Sequence, residues 1–370
     1  MRINIAASHR FHLLDLAREL ESLGHEIRFY SYVPTRRAIK FGLKKECSYS
    51  LFYIMLPFLA LVKLSKSSSW AIKFMNSTLD LYLSLFMKPC DVYIALGVVY
   101  KSSLTSAKKR FRAKTILEWG SKHIVEQQRI LSEIPELKQQ DFYFTQRALD
   151  GYNLADYIAI ASDHVKQSFI EKGISEKKML QNPYGVDLSM FSPTKLVNEN
   201  PYDVIMVGGW SYRKGCDLLT DFFQKSNLTF LHVGPIVDLP FPAQTNMKHI
   251  DSVDQKELVN YYAQAKVFVL ASREEGLAMV QPQALSCGLP IVCSKDTGGR
   301  DLRNLLEDKK WIIEMEEFSI SSLQTALNEA LALAQTQVGL RNYTKNIVDS
   351  LTWEAYGKRY DKNLKSISII

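Results

Sequence analysis

A short apolar run followed by an amphipathic helical pattern recurs along almost the whole chain, and this rhythm restricts the possible folds more than any other feature. Residues 3–6 are apolar, and residues 12–23 place Leu13, Leu14, Ala17, Leu20 and Leu23 on one helical face. Gly24 follows as a helix stop, and residues 26–32 alternate as a strand does. Further strand patterns fall at 92–96, 115–117 and 157–161, with helical patterns at 104–112, 122–137 and 163–172. Strand–helix units in series predict parallel sheets covered by helices. At residues 182–193 the rhythm breaks in a Pro- and turn-rich stretch, and the polar residues 194–200 prolong the break. It then restarts, with apolar runs at 204–207, 229–233, 267–271 and 291–293. The expectation is an α/β chain of two doubly wound, Rossmann-like domains facing a cleft, with ligands beyond the carboxyl ends of the strands.

Charge is unevenly spread over the 370 residues. The first 150 carry 23 Lys and Arg against 13 Asp and Glu, whereas the remainder carries 23 against 26. A basic first half suits an anionic partner such as a phosphorylated ligand, a membrane surface or nucleic acid, and equally suits plain solubility charge. The five cysteines are scattered with no CxxC pair, which argues against a zinc cluster or a dithiol redox site and for buried free thiols. The first residues read as a strand rather than a secretory leader. The longest apolar run, 51–62, contains Pro57 and would span only ~18 Å as a helix against the ~30 Å of a bilayer core. A cytoplasmic location follows as the expectation. Residues 51–87 mix Phe52, Tyr53, Trp70, Phe74, Tyr82 and Phe86 with Lys63, Lys66 and Lys73. The simpler reading is two core helices with solvated lysines; the mixture also suits a segment lying on a membrane surface.

Two segments carry chemistry. Residues 267–292 read VFVLASREEGLAMVQPQALSCGLPIV: a buried strand, a charged loop, a helix opening near Gly276, and a break at Gly288-Leu289-Pro290 before the next strand. Free amides at a helix start make a ready phosphate site, and glycine lets a ligand approach the backbone. Residues 204–219 read VIMVGGWSYRKGCDLL, a strand, a glycine-rich turn with Arg213 and Lys214, and a helix. No GxxxxGK[ST], HExxH or GxSxG motif and no Asp-x-Asp pair is present.

The segment around Glu275 resembles the retaining nucleotide-sugar glycosyltransferases of family GT4, which have the GT-B fold. Ser272, Glu275, Gly276, Gly288 and Pro290 stand in register with that family's pattern. The resemblance implies that Glu275 bonds the donor sugar's hydroxyls and that the amides of Gly276, Leu277 and Ala278 meet the donor diphosphate together with Lys214 and Arg213. The family's second Glu, which holds the nucleotide ribose, falls on Gln283, and its Arg after the first glycine falls on Gly209. Both are departures. Eight helical residues span ~12 Å, enough to put one group at the sugar and one at the ribose. Backbone near Val253 is implied to meet the base. Residues 182–193 resemble the family's Pro-Asn-Gly-Val-Asp linker with Tyr184 in the Asn place, and Leu351-Thr352-Trp353-Glu354 its closing Ser/Thr-Trp-Glu.

The first half resembles one subset of the family. Phe11-His12, Leu16-Ala17, Leu20 and Gly24-His25 fit that subset, and Glu118-Trp119-Gly120-Ser121-Lys122-His123-Ile124 resembles its Arg-Gly-Ser-Ser-His-Ile segment, with Trp119 in place of Arg. His123 is implied to lie beside the transferred sugar, with His9, Arg10 and His12 on a loop at the cleft. The implied domains are 1–192 on the acceptor side, joined by a C-terminal helix 353–370, and 193–352 on the nucleotide-sugar side. The implied reaction is metal-independent transfer of a sugar, without a cofactor, from a nucleotide-diphosphate sugar to a glycan or lipid-linked hydroxyl acceptor in cell-surface polysaccharide or glycolipid assembly. An anionic membrane surface is an expected partner, nucleic acid is not. A nucleotide-sugar epimerase and a non-catalytic nucleotide-sugar-binding protein remain as alternatives, the latter because of Gln283 and Gly209.

Overall fold

A computed structural model describes residues 1–64, 69–97, 100–137, 142–192, 202–336 and 349–368. Lys66 and the polar break at 194–200 lie outside the described residues, as does Pro193. The first sheet has seven parallel strands: β1 (Arg2–Ala7), β2 (Glu26–Ser31), β3 (Ser48–Ser50), β4 (Val92–Leu96), β5 (Lys114–Glu118), β6 (Tyr157–Ile160) and β7 (Met179–Gln181). Their order is β3-β2-β1-β4-β5-β6-β7. The second has six: β8 (Tyr202–Val207), β9 (Phe230–Val233), β10 (Met247–Ile250), β11 (Ala265–Leu270), β12 (Ile291–Cys293) and β13 (Ile312–Glu314), in the order β10-β9-β8-β11-β12-β13. Every pairing in both sheets is parallel. The architecture is the two-sheet doubly wound one that the resemblance implies.

The strand order reverses between β1 and β4 and again between β8 and β11. A crevice opens at such switch points because the connections leave to opposite faces. The loops after β1, β4, β8 and β11 therefore converge on the gap between the sheets.

The first helix, Phe11–Ser22, buries Leu13, Leu14, Leu16, Ala17 and Leu20 against the first sheet, and Gly24 ends it with φ +87°. The C-terminal helix Trp353–Ser368 lies across this first helix. A Cβ on Gly357 would come within 2.4 Å of the Cβ of Glu19, so a glycine is required at the crossing. His25 Nε2 bonds Asp361 Oδ1 at 2.9 Å, and Tyr360 donates to Glu118 Oε1 at 2.6 Å. The last helix is thereby tied to the first sheet rather than to the second.

Several boundaries differ from the sequence pattern. The helix expected to open near Gly276 begins at Val280, so the preceding loop runs on to Met279. The polar helix expected over 122–137 is confined to Ile124–Ser132. Before β11 the chain forms a 3-10 turn, Gln255–Glu257, followed by the short helix Leu258–Tyr262. Residues 51–87 form two helices, Phe52–Leu64 and Ser69–Phe86. Met75, Leu79 and Leu83 reach the core, while Trp70, Leu81 and Leu85 are more than half exposed. Two simple core helices do not describe this segment.

Candidate functional site

The cleft between the sheets has a volume of ≈ 830 Å³. Its first wall comes from the loop after β1 (Ser8, Arg10, Phe11, His12), the end of β4 (Leu96, Gly97), the end of β5 (Glu118 to Ser121) and residues 184–191. Its second wall comes from Arg213, Gln255, Lys256, Met279 and Gln283, and Trp353 of the last helix also lines it.

On the first wall, His12 and Glu118 form a pair. His12 Nε2 lies 3.1 Å from Glu118 Oε2, and the other carboxylate oxygen accepts from Tyr360. The imidazole stacks on Tyr184 at 4.3 Å between ring centres. Glu118 is 2% exposed, so its oxygens rely on these partners rather than on water. Arg10 lies over the Phe41 ring at 3.5 Å and pairs with Asp15 at 3.3 Å. The turn entering the first helix holds Phe11 at φ +39°, a strained conformation for an aromatic residue.

The second wall is built from two loops locked together. Gly215 has φ +69°, and a Cβ there would lie 1.9 Å from the carbonyl oxygen of Ala271, so only glycine lets the turn after β8 press onto the end of β11. Arg273 N–H donates to the Arg213 carbonyl at 2.9 Å, and the Arg273 guanidinium grips Asp217 at 2.6 Å. This contact aims both neighbouring cations at one place. Lys214 Nζ is ion-paired with Glu275 Oε1. Arg213 donates through Nε to the Glu274 carbonyl at 3.0 Å, and its guanidinium lies 3.2 Å from Glu274 Oε2 and 3.4 Å from Glu275 Oε2.

Glu274 is fully buried and bridges the walls. Its Oε1 accepts from Lys122 N–H at 3.0 Å, and its Oε2 accepts from Gln127 Nε2 at 3.0 Å. Further bonds cross the same seam: Ser162 Oγ to the Gly276 carbonyl at 2.8 Å, His164 Nε2 to the Glu275 carbonyl at 2.8 Å, and Lys122 Nζ to Asp296 at 2.7 Å. Burial holds the His164 pKa below that of a free histidine.

The expected site residues separate into two groups. Glu275, Lys214 and Arg213 converge, and His12, Arg10 and Gln283 line the cleft. Gln283 is 5% exposed and stands 3.5 Å from Tyr262 Oη. The others are placed differently. Gly276 is packed against the opposite wall, where a Cβ would lie 2.0 Å from the Gly120 carbonyl, so the close approach there is made by protein rather than by open space. Ala278 N–H is bonded to the Thr297 carbonyl, and Leu277 is buried. With the helix starting only at Val280, the loop rather than a helix end presents this backbone. His123 stands outside the cleft lining. It begins the helix Ile124–Ser132, accepts from Val125 N–H at 3.3 Å, and packs on Tyr152 and Phe169. Burial pushes its pKa down to about 4, which keeps the ring neutral. Val253 is also set back, and Gln255 and Lys256 take the cleft position. His9 is exposed and bonded to Ser8 at 2.9 Å. At Gly209 a Cβ would meet Val237 Cγ2 at 2.9 Å, so Val237 leaves little room for a side chain there.

Glu118 and Glu274 belong to the site although no motif singles them out. Each is an acid at or just past the end of a buried strand, and that position alone marks the crevice of a parallel sheet. Among the described residues no group of three or more His, Cys, Asp or Glu side chains could hold a metal ion, and no helix is long and apolar enough to cross a membrane.

Residues 191–347 match the family described as Glycosyl transferases group 1. The chain is 25% identical over 202 residues to one component of the human phosphatidylinositol N-acetylglucosaminyltransferase, covering 50% of this chain and 41% of that protein. It spans half or less of the length of the curated relatives it matches. Among solved structures, sucrose-phosphate synthase from Thermosynechococcus elongatus superposes with a TM-score of 0.69 at 13% identity, over 99% of each chain. Anabaena HepE in complex with UDP and glucose superposes with a TM-score of 0.62 at 14% identity, over 99% of this chain and 100% of that one. The fold is GT-B.

Proposed function

From the premise that residues 191–347 form a group 1 glycosyl transferase domain, we propose that the chain is a retaining, metal-independent hexosyltransferase. It moves a sugar from a nucleotide-diphosphate donor to a hydroxyl of a glycan or lipid-linked acceptor. The observation that carries this reading is the convergence of Arg213, which lines the cleft, and of Lys214 on Glu275. When the bond between the sugar and the diphosphate breaks, negative charge builds on the departing phosphate. Two fixed cations stabilise that charge without a metal, because they are already oriented when it develops. Glu275 then has a second role. It compensates the cations while the donor is absent, and it turns to the sugar hydroxyls when phosphate takes its place. Gln283 is the candidate partner of the nucleotide ribose. The first wall, with Arg10, His12 and Glu118, faces the acceptor. Cell-surface polysaccharide or glycolipid assembly on the cytoplasmic face of a membrane is the setting proposed for the reaction. It is supported by the basic first half and by a relative whose name places it on phosphatidylinositol.

The test is a donor panel scored for nucleotide release with glycolipid acceptors, beside a thermal-shift series with nucleoside diphosphates. Glu275→Ala and Lys214→Ala are each expected to lower turnover at least tenfold, about 1.4 kcal/mol of barrier. Wild-type rates in either variant overturn the site. An isomerised donor in the absence of acceptor identifies an epimerase instead.

A further inference from the structure

Ten of the nineteen exposed large apolar side chains among the described residues fall between positions 53 and 86. That concentration, in under a tenth of the chain, is not ordinary surface scatter. The helix Ser69–Phe86 shows why. Its buried stripe is Met75, Leu79 and Leu83, and its opposite face carries Trp70, Phe74, Leu81 and Leu85. A helix facing water on one side carries polar residues there; this helix sets only Ser77, Thr78 and Ser84 among its four large apolar side chains on that face. The neighbouring helix Phe52–Leu64 adds Tyr53 at 80% and Ile54 at 63% exposure, and Phe58 stacks on Phe74 at 4.5 Å, so the two helices share one apolar surface.

Charge of one sign borders it. Residues 52–114 contain ten Lys and Arg against two acids, Asp80 and Asp91, and of the ten Lys101 and Lys108 are paired with Asp150 and Asp156 from outside this stretch. Asp80 is buried on Ser103 and Arg147, and Asp91 is taken by Arg2. The helix Lys101–Phe111 packs along Ser69–Phe86, and Arg110 donates to the carbonyls of Ser84 and Leu85 at 2.8 and 3.0 Å. That bond sets cationic charge at the end of the apolar stripe. Lys109, Arg110 and Arg112 are exposed and, among the described residues, pair with no carboxylate.

We propose that the outer face of helices Phe52–Leu64 and Ser69–Phe86, with the cationic end of Lys101–Phe111, docks on an anionic lipid bilayer. An apolar face rimmed by unpaired cations matches the acyl boundary below and the anionic headgroups around it. The proposal rests on the membrane setting given above and is independent of the donor site. Flotation of the full chain with vesicles tests it, using phosphatidylcholine alone and phosphatidylcholine with phosphatidylglycerol, at low and high salt. The wild type is expected to float at least tenfold better with the anionic vesicles, and less at high salt. The double variant Leu81→Glu/Leu85→Glu changes only exposed positions and is expected to lose at least tenfold of that binding. Lys109→Glu/Arg112→Glu is expected to lose the preference for anionic vesicles. Thermal shift by nucleoside diphosphate, measured on the same samples, reports the donor site separately and should not change. No flotation, equal flotation with both vesicles, or a Glu variant that floats like the wild type overturns the proposal. So does a wild-type dimer that Leu81→Glu/Leu85→Glu makes monomeric, since a second copy then covers the face.

Discussion

The two walls of the cleft are held in different ways. On the first wall the polar groups are fixed within their own half: His12 by Glu118, Glu118 by Tyr360, and the last helix by His25 through Asp361. On the second wall the loop from Ser272 to Met279 is fixed from two sides: Arg213, Asp296 and Thr297 of its own half hold it, and so do residues across the cleft. Its Glu274 side chain takes donors from Lys122 and Gln127, and its carbonyls at 275 and 276 take donors from His164 and Ser162. One wall is held within its own half; the other is held partly within its half and partly where the halves meet. Changes at the seam should therefore disturb stability and donor binding together, whereas changes on the first wall should leave donor binding intact.

Glu274→Ala is the strongest way to break this contrast. The substitution removes the side chain that joins Lys122, Gln127 and Arg213, and it leaves buried donors without that acceptor. Breaking a buried ion pair from one side costs roughly 3–5 kcal/mol. Because Arg213 is 38% exposed and regains water, a loss of about 3 kcal/mol is expected. A denaturant series gives the stability, and titration with a nucleoside diphosphate gives the donor affinity. If stability falls and affinity does not, the seam does not shape the donor wall.

The same contrast explains which parts of the molecule are legible in the sequence. The interior strands β1, β4, β5, β8, β9, β11 and β12 stand out as apolar runs because both of their faces are buried. Strands β3, β7 and β13 have only three residues each and lie at sheet edges, too short and too one-sided for a periodic signal. In the site, Lys214 and Glu275 are legible because local turns set them. The local pattern leaves Gly276 open to a ligand, yet Gly120 fills that space from 156 positions earlier in the chain. The resemblance puts His123 at the sugar, yet Tyr152 and Phe169 enclose it. Both differences come from long-range packing, which no local pattern encodes.

A second prediction sharpens the seam itself. Asp301 accepts from Asp163 N–H at 2.9 Å and from Gln181 at 2.7 Å across the seam, while its other oxygen is buried without a partner among the described residues. Burial raises its pKa to about 6 from an ordinary 3.8. The folded chain therefore binds a proton between pH 4 and 6 that the unfolded chain has released. Stability should fall as pH rises through that window and level off above about 6, a change on the order of 2–3 kcal/mol. Asp301→Asn keeps the acceptor and removes the titration. Its unfolding midpoint, followed from pH 4 to 7, should lose this contribution to the slope, with stability at pH 7 no lower than wild type. An unchanged slope assigns the pH dependence elsewhere.

The smallest expected effect concerns the residue where this chain departs from the family. Gln283 is nearly buried and lines the cleft, and among the described residues its side chain makes one long contact, with Tyr262. A neutral amide gives a ribose hydroxyl a bond about half as strong as a carboxylate would. Gln283→Glu should therefore tighten nucleoside diphosphate binding by roughly two- to tenfold, which corresponds to about 0.4–1.4 kcal/mol. It should also lower the stability of the unliganded protein, since the new charge sits at a nearly buried position. These opposite signs separate the ribose role from a structural one. Weaker binding together with lower stability would mean that Gln283 serves the packing around Tyr262, and that the nucleotide is held chiefly by the cations of the second wall.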